Sequence, residues 1–267
     1  MQIGIIEYIL LGLIQGIAEW LPISSSGMLT LVMSNFLNVN SLSVIVEESL
    51  FLHLGTFFAA LIYFRKDVAE LLFSVFKYNQ TKTETKKILL FLTISTIISG
   101  ILGLIFLYFL DRFETIFLLS GKSLTLLVGI LLMITGIFKV KIKANGIKSS
   151  KNLTSSDGVL LGVAQGFSSF PGLSRSGITV STLLIRKFDD TTALKLSFLM
   201  SLPIVLAGNI LLNLNNAMFT LPSLIGVLTS FVFGILTIHG LIKISKRIDF
   251  GWFAIIFSIL MLASIFI

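Results

Sequence analysis

Two stretches of this chain carry ionisable and hydroxyl side chains where nearly everything around them is apolar. In the first, Gln15 and Glu19 stand four residues apart, so on a helix they leave from one face. Just beyond them comes Pro22-Ile23-Ser24-Ser25-Ser26-Gly27. Far along the chain a comparable run reads Pro171-Gly172-Leu173-Ser174-Arg175-Ser176-Gly177, with Thr179 close behind. Each turn precedes a short apolar helix, whose first N–H groups lack intrahelical partners and carry the positive end of the helix dipole. Those amides, the hydroxyls of Ser24, Ser25, Ser26, Ser174, Ser176 and Thr179, and the Arg175 guanidinium describe a cradle for phosphate oxygens. Glu19 and Arg175 each cost about 2.5–3.5 kcal/mol or more inside a bilayer. A catalytic carboxylate and a purely structural partner for a buried arginine are the two readings of Glu19.

The elements that must position these residues are membrane helices. Of 267 residues, 55% are apolar and only 12% charged, against about 25% charged in ordinary soluble domains. A soluble fold of this size cannot bury that much apolar surface, so the composition specifies an all-α integral membrane protein. There is no cysteine and there are only two histidines, His53 and His239. That excludes disulfides, thiolate chemistry and a multi-histidine metal centre. The net charge of +7 sits in loops between apolar segments, which points to membrane orientation and not to nucleic acid. No basic run precedes Ile3, and Glu7, Gln15 and Glu19 interrupt the opening apolar stretch, so it does not read as a cleavable signal. The longest polar stretches, 77–87 and 139–157, are too short to fold alone, so residues 1–267 form a single membrane domain.

Six segments read as spanning helices, at about 49–64, 88–110, 116–138, 196–214, 221–242 and 250–267. Residues 2–37 and 158–185 are apolar but broken centrally by the two turns, and read as re-entrant helix-turn-helix pairs. With this layout, loops 65–87, 139–157, 186–195 and 243–249 share one side and hold seventeen of the twenty Lys and Arg residues. Those basic loops are therefore expected in the cytoplasm, with both termini outside and the protein multi-pass in the cell membrane. A shift of 150 residues aligns Leu11-Gly12 with Leu161-Gly162, Gln15-Gly16 with Gln165-Gly166, and Ser24-Ser25-Ser26-Gly27 with Ser174-Arg175-Ser176-Gly177. The chain thus reads as two inverted-topology repeats, about 1–138 and 158–267, joined by a cytoplasmic linker 139–157. In that architecture a site forms where the broken helices meet. The repeated Gly-x-x-x-Gly pairs read as close helix packing.

At these motifs a family resemblance becomes specific. The run Gln15 to Gly27 resembles the Glu/Gln-x-x-x-Glu motif of the undecaprenyl-diphosphate phosphatases, the bacitracin-resistance family. Pro171 to Thr179 resembles that family's Pro-Gly-x-Ser-Arg-Ser-x-x-Thr motif, and Leu52-His53-Leu54-Gly55-Thr56 and Ser197 to Pro203 are similar too. The resemblance implies hydrolysis of the terminal phosphate of an isoprenyl diphosphate of C55 type, giving lipid monophosphate for carrier recycling in cell-envelope synthesis. It makes Glu19, Ser25 and Arg175 the catalytic set. Gln15, Ser24, Ser26, Gly27, Ser174, Ser176, Gly177 and Thr179 become the diphosphate-binding groups. It also implies Mg²⁺ or Ca²⁺ as cofactor, with Glu19 the candidate ligand, membrane lipids as surroundings, and a second copy of the chain as a candidate partner.

Two departures bear on mechanism. Gln15 stands where many members have an acid, which leaves one carboxylate fewer for a cation. Met28 follows Gly27 where the family often has histidine. His53, on another helix, could take that histidine's place or be a satisfied helix-interface residue. The expected chemistry is attack by Ser25 with Glu19 as base, and direct attack by water stays open beside it. A lipid flippase or transporter is the alternative function class, since inverted repeats with broken helices are also transporter architecture.

Overall fold

The computed structural model describes residues 3–21, 23–39, 41–117, 121–141, 146–169, 172–212, 219–244 and 250–263. Pro22 and Pro171 of the two turns, and Lys143, Lys246 and Arg247 of the basic loops, lie outside the described residues. Every helix or strand among the described residues is helical: α1 (Ile5–Ala18), α2 (Ser25–Asn35), α3 (Leu42–Tyr63), α4 (Arg65–Phe76), α5 (Thr83–Phe117), α6 (Gly121–Lys141), α7 (Ser155–Phe167), α8 (Arg175–Ile185), α9 (Asp190–Leu212), α10 (Leu221–Ile244) and α11 (Phe250–Ala263). Single 3-10 turns at Tyr78–Gln80 and Ser150–Asn152 join them.

Four helices are long and apolar enough to cross a membrane: α3, the Thr83–Phe109 part of α5, α9, and the Leu221–Lys243 part of α10. Their outer faces carry large apolar side chains such as Ile97, Tyr108, Leu228 and Leu236 in the open. A surface of that kind belongs in lipid. The protein is an all-helical, multi-pass membrane protein.

The helices break where the two serine turns stand, and elsewhere run longer than hydropathy suggests. Helix α3 starts at Leu42 instead of about 49, and α9 at Asp190 instead of about 196. Helix α5 continues to Phe117 through residues 111–115, where a loop was expected. Asp111, Arg112 and Glu114 mark a polarity change, but no glycine or proline is there to stop a helix. Residues 65–76, expected as loop, form α4 instead, with Asp67 in the first turn complementing the dipole.

The helices bearing the turns are held by close backbone approach. Helix α1 lies along α10, and α7 lies along α5. A Cβ at Gly16 would stand 2.7 Å from the Ser230 carbonyl oxygen, and one at Gly166 2.5 Å from Leu102 Cδ1. Only a residue without a side chain fits either seam. Helices α1 and α7 begin at residues 5 and 155, and α2 and α8 at 25 and 175.

The α7–α8 pair is also pinned at its open end. Thr154 and Asp157 form a capping box at the start of α7. The second carboxylate oxygen of Asp157 accepts from Arg186 Nε at 2.7 Å, just past the end of α8. Burial pushes the Asp157 carboxyl up, but the Thr154 hydrogen bonds and Arg186 outweigh it and hold the group below the ordinary carboxylate range. Its stabilising contribution is therefore present above that range and lost as pH falls through the lowered value. An Asp157→Ala variant should lose about 1–2 kcal/mol at neutral pH. The gap to the parent protein, read by thermal unfolding in detergent, should close as pH drops below about 4.

Candidate active site

Glu19 follows the last turn of α1, and its buried carboxylate is where four helices meet. Oε2 accepts from Gln15 Nε2 at 2.9 Å, one turn back on the same helix. It also accepts from the Ser25 hydroxyl at 2.6 Å, the first residue of α2. His53 Nε2, from the middle of α3, lies 2.9 Å from the same oxygen. The other oxygen, Oε1, is paired with Arg175 Nη2 from the start of α8. Arg175 Nη1 in turn donates to the Ser197 carbonyl of α9 at 3.1 Å. His53 Nδ1 stands 2.6 Å from the Ser49 carbonyl, which can only accept. Nδ1 therefore carries a hydrogen, and a second proton must lie between Nε2 and Oε2, because two facing lone pairs would repel at that distance.

The two turns are built alike. The Ser24 hydroxyl accepts from the Gly27 amide at 3.1 Å and lies 3.3 Å from the Ser26 hydroxyl. The Ser174 hydroxyl accepts from the Gly177 amide at 3.1 Å and lies 3.3 Å from that of Ser176. Both are serine N-caps at the same relative position. They differ in backbone: Ser24 has φ 58°, the left-handed region, whereas Ser174 has φ −67°. A non-glycine residue held there costs about 1–2 kcal/mol, a cost typically found at functional turns. The turns are tied together by the Ser176 hydroxyl, which donates to the Leu21 carbonyl at 2.8 Å.

Glu19, Ser24, Ser25, Ser26, His53, Ser174, Arg175 and Ser176 line one cavity of about 340 Å³. Its remaining wall is largely apolar, from Ile45, Leu50, Phe106, Leu107, Ile204 and Leu211. Four expected binding residues stand elsewhere. Gln15 lies behind Glu19 and holds it. The Gly27 and Gly177 amides are taken by the serine caps, leaving the amides of the first two residues of each helix as the free donors. Thr179 turns away from the cavity: its hydroxyl is 2.6 Å from that of Ser197 and donates to the Arg175 carbonyl at 2.7 Å. It buttresses the helix turn that carries Arg175. Ser99, Gln165, Ser168 and Ser169 line the same cavity without having been singled out as site residues. The signal for two of them was in the 150-residue shift, which pairs Gln165 with Gln15 and Ser169 with Glu19.

These motifs now have counterparts to compare. The family profile described as "Bacitracin resistance protein BacA" matches residues 8–263. The chain belongs to this family. Among the BacA relatives, the protein named undecaprenyl-diphosphatase from Methanococcoides burtonii is 43% identical, covering 100% of each chain. The one from Methanothrix thermoacetophila is 35% identical over 97% of this chain and 96% of its own. That from Haloarcula marismortui is 35% identical over 92% of each.

The expected divalent cation finds a poor protein ligand set in this BacA chain. Hard cations want several oxygen ligands. Among the described residues Glu19 is the one carboxylate on the cavity wall, and both its oxygens are engaged by donors. Among the described residues no group of three His, Asp or Glu could hold a metal. The residues present do not fit a protein-held cation.

Breaking one partner of a buried ion pair typically costs about 3–5 kcal/mol, because the other charge stays buried and uncompensated. Glu19→Gln and Arg175→Met should each lower thermal stability in detergent by that order. The double variant should lose clearly less than the sum of the two, the signature of direct coupling in a double-mutant cycle.

Proposed function

We propose that the protein is a polyprenyl-diphosphate phosphatase of undecaprenyl-diphosphatase type, a hydrolase of the phosphoanhydride bond in the membrane. It converts the lipid diphosphate to lipid monophosphate and inorganic phosphate, and by family takes part in bacitracin resistance. The observation that carries the reading is the Ser25–Glu19–Arg175 connection on the wall of an apolar cavity. A hydroxyl paired to a carboxylate, with a guanidinium beside it, suits phosphoryl transfer. The apolar wall suits the first isoprene units of a lipid substrate, with the rest of the tail between helices.

In this mechanism the diphosphate competes with Glu19 for Arg175, which frees a carboxylate oxygen. Ser25 passes its proton to Glu19 while its oxygen forms a bond to the terminal phosphorus. The bond from that phosphorus to the bridging oxygen breaks, and the bridging oxygen leaves with the electron pair on the lipid monophosphate. Arg175 and the free amides of α2 and α8 offset charge on the equatorial oxygens. The lipid monophosphate takes the proton from Glu19 as it leaves. Water then gives a proton to Glu19 and bonds to the phosphorus while the bond from phosphorus to Ser25 Oγ breaks, and Glu19 passes that proton to Oγ. His53 holds Glu19 Oε2 through the shared proton and takes the place of the histidine that Met28 lacks. Gln15 and Thr179 act as positioning residues.

The site's place in the membrane follows from the same reading: six spans and two re-entrant pairs in inverted repeats, 1–138 and 158–267, linked by 139–157. Three observations support it. The helices α2 and α8 have eleven residues each, about 17 Å, and cannot cross about 30 Å of hydrocarbon. Their caps make the same hydrogen bonds. Contacts between Lys195 and Asp67, Ser150 and Glu84, and Arg186 and Asp157 gather three basic segments at one end. That end faces the cytoplasm, with both termini outside. A homodimer is compatible with the broad apolar surface of α5 and α10.

Phosphate release from detergent-solubilised protein tests the reading, since no membrane remains for a carrier to transport across. The protein should release phosphate from C15 and C55 diphosphates, and Ser25→Ala should lower kcat at least about a thousandfold. No release by the parent protein would favour a flippase. Substantial turnover by Ser25→Ala would replace the serine nucleophile with direct water attack.

We further propose that any divalent cation enters on the diphosphate oxygens and not on the protein alone. EDTA should then suppress turnover, while equilibrium dialysis of the substrate-free protein with Mg²⁺ or Ca²⁺ should show no binding tighter than millimolar.

A further inference from the structure

The wall of the cavity also carries a polar cluster that the mechanism leaves unused. Gln165, at the end of α7, donates from Nε2 to the Ser99 hydroxyl of α5 at 3.0 Å, and its Oε1 is buried with no partner. Ser169, four residues on, has a hydroxyl that makes no hydrogen bond among the described residues. Its oxygen faces α5, where a Cβ added to Gly103 would lie 3.5 Å from it. Gln165, Ser169, Ser99 and Gly103 all line the cavity that holds Ser25 and Arg175. A buried amide with one unpartnered end, beside a free hydroxyl, is an unfinished set of hydrogen bonds, and the cavity is the open space from which it can be finished.

The positions of this cluster say what finishes it. Under the 150-residue shift Ser169 is the mate of Glu19, Gln165 of Gln15, Ser174 of Ser24, and Arg175 of Ser25. The cavity therefore has two similar halves, each built on a capped serine turn and a glutamine-bearing helix. A diphosphate also has two similar halves, related across its bridging oxygen. One half of the cavity holds the hydroxyl and the carboxylate that react. The other holds neutral donors, and its turn carries Arg175, which reaches across to Glu19 of the first half.

Resting on the phosphatase reading above, we infer that Gln165, Ser169 and Ser99 form a second phosphate subsite. It takes the α-phosphate, the one that stays on the lipid, while the β-phosphate sits at Ser25. The Ser169 hydroxyl donates to an α-phosphate oxygen. A half-turn of the Gln165 amide lets the Ser99 hydroxyl turn from the Thr96 carbonyl to donate to its oxygen, and frees its N–H groups for the same phosphate. Neutral donors bind an anion less tightly than paired cations do, which lets lipid monophosphate leave after the transfer.

Inhibition by each product separates the two phosphates. Farnesyl monophosphate carries only the α-phosphate, and inorganic phosphate is the former β-phosphate. With farnesyl diphosphate as substrate in detergent, Ser169→Ala should raise the inhibition constant for farnesyl monophosphate about tenfold. It should raise KM more than it lowers kcat, and leave inhibition by inorganic phosphate unchanged. Ser169 makes no side-chain hydrogen bond among the described residues, so this variant should keep the parent melting temperature. Gln165→Leu, checked by the same melt, should shift both constants the same way. Unchanged inhibition by farnesyl monophosphate in a folded, active Ser169→Ala variant overturns the subsite. So does weaker inhibition by inorganic phosphate alone, which would assign the cluster to the leaving phosphate. If the parent protein itself releases no phosphate, the phosphatase reading has failed, a result distinguishable from either of these.

Discussion

One carboxylate organises this molecule. Glu19 draws a guanidinium, an imidazole, a hydroxyl and an amide from α8, α3, α2 and α1 onto two oxygen atoms. Removed from water, an unpaired carboxylate would be too costly to keep, so each of those helices is held where its donor can reach. The packing that surrounds the site serves the same end. Trp20, the next residue, stacks edge-on against Phe198 with ring centroids 4.7 Å apart, beside the Ser197 carbonyl that receives Arg175. The small residues of α1 and α7 let the broken helices sit against α10 and α5 without gaps.

The second organising fact is the reuse of one local device. A serine N-cap three residues before a glycine opens both α2 and α8, and the hydrogen bonds agree at 3.1 Å in each. What differs is the residue after the cap: Ser25 in one turn, Arg175 in the other. A nearly symmetric scaffold thereby places a nucleophile candidate and a cation on the two oxygens of one carboxylate in the cavity wall. The backbone asymmetry sits with the turn that carries Ser25, where Ser24 is in the left-handed region.

Much of this was legible in the residues themselves. The four-residue spacing of Gln15 and Glu19, the paired serine turns and a lone arginine in apolar surroundings are local signals, and the structure brings Glu19, Ser25 and Arg175 together. What could not be read were matters of rotation and reach. Thr179 has the same hydroxyl as its neighbours, but its place on α8 turns it to Ser197 and away from the cavity. His53 had two equal readings, because whether α3 lays its middle against the end of α1 depends on packing between distant segments. The extent of α5 is hidden in the sequence for a different reason. Hydropathy reports where apolar character ends, and a helix can continue through Asp111, Arg112 and Glu114 regardless. Gln165 and Ser169 were visible only as partners of Gln15 and Glu19, with no charge of their own to draw notice.

The distance in sequence between Glu19 and Arg175 has a bearing on how the chain is made. The two are 156 residues apart, and at about 5–20 residues per second the ribosome needs roughly 8–30 s to travel from one to the other. Throughout that interval Arg175 does not yet exist, and α10, the helix that α1 lies along, is made later still. The buried carboxylate thus meets its guanidinium across the two halves only once the second half is being made, an electrostatic latch between early and late chain.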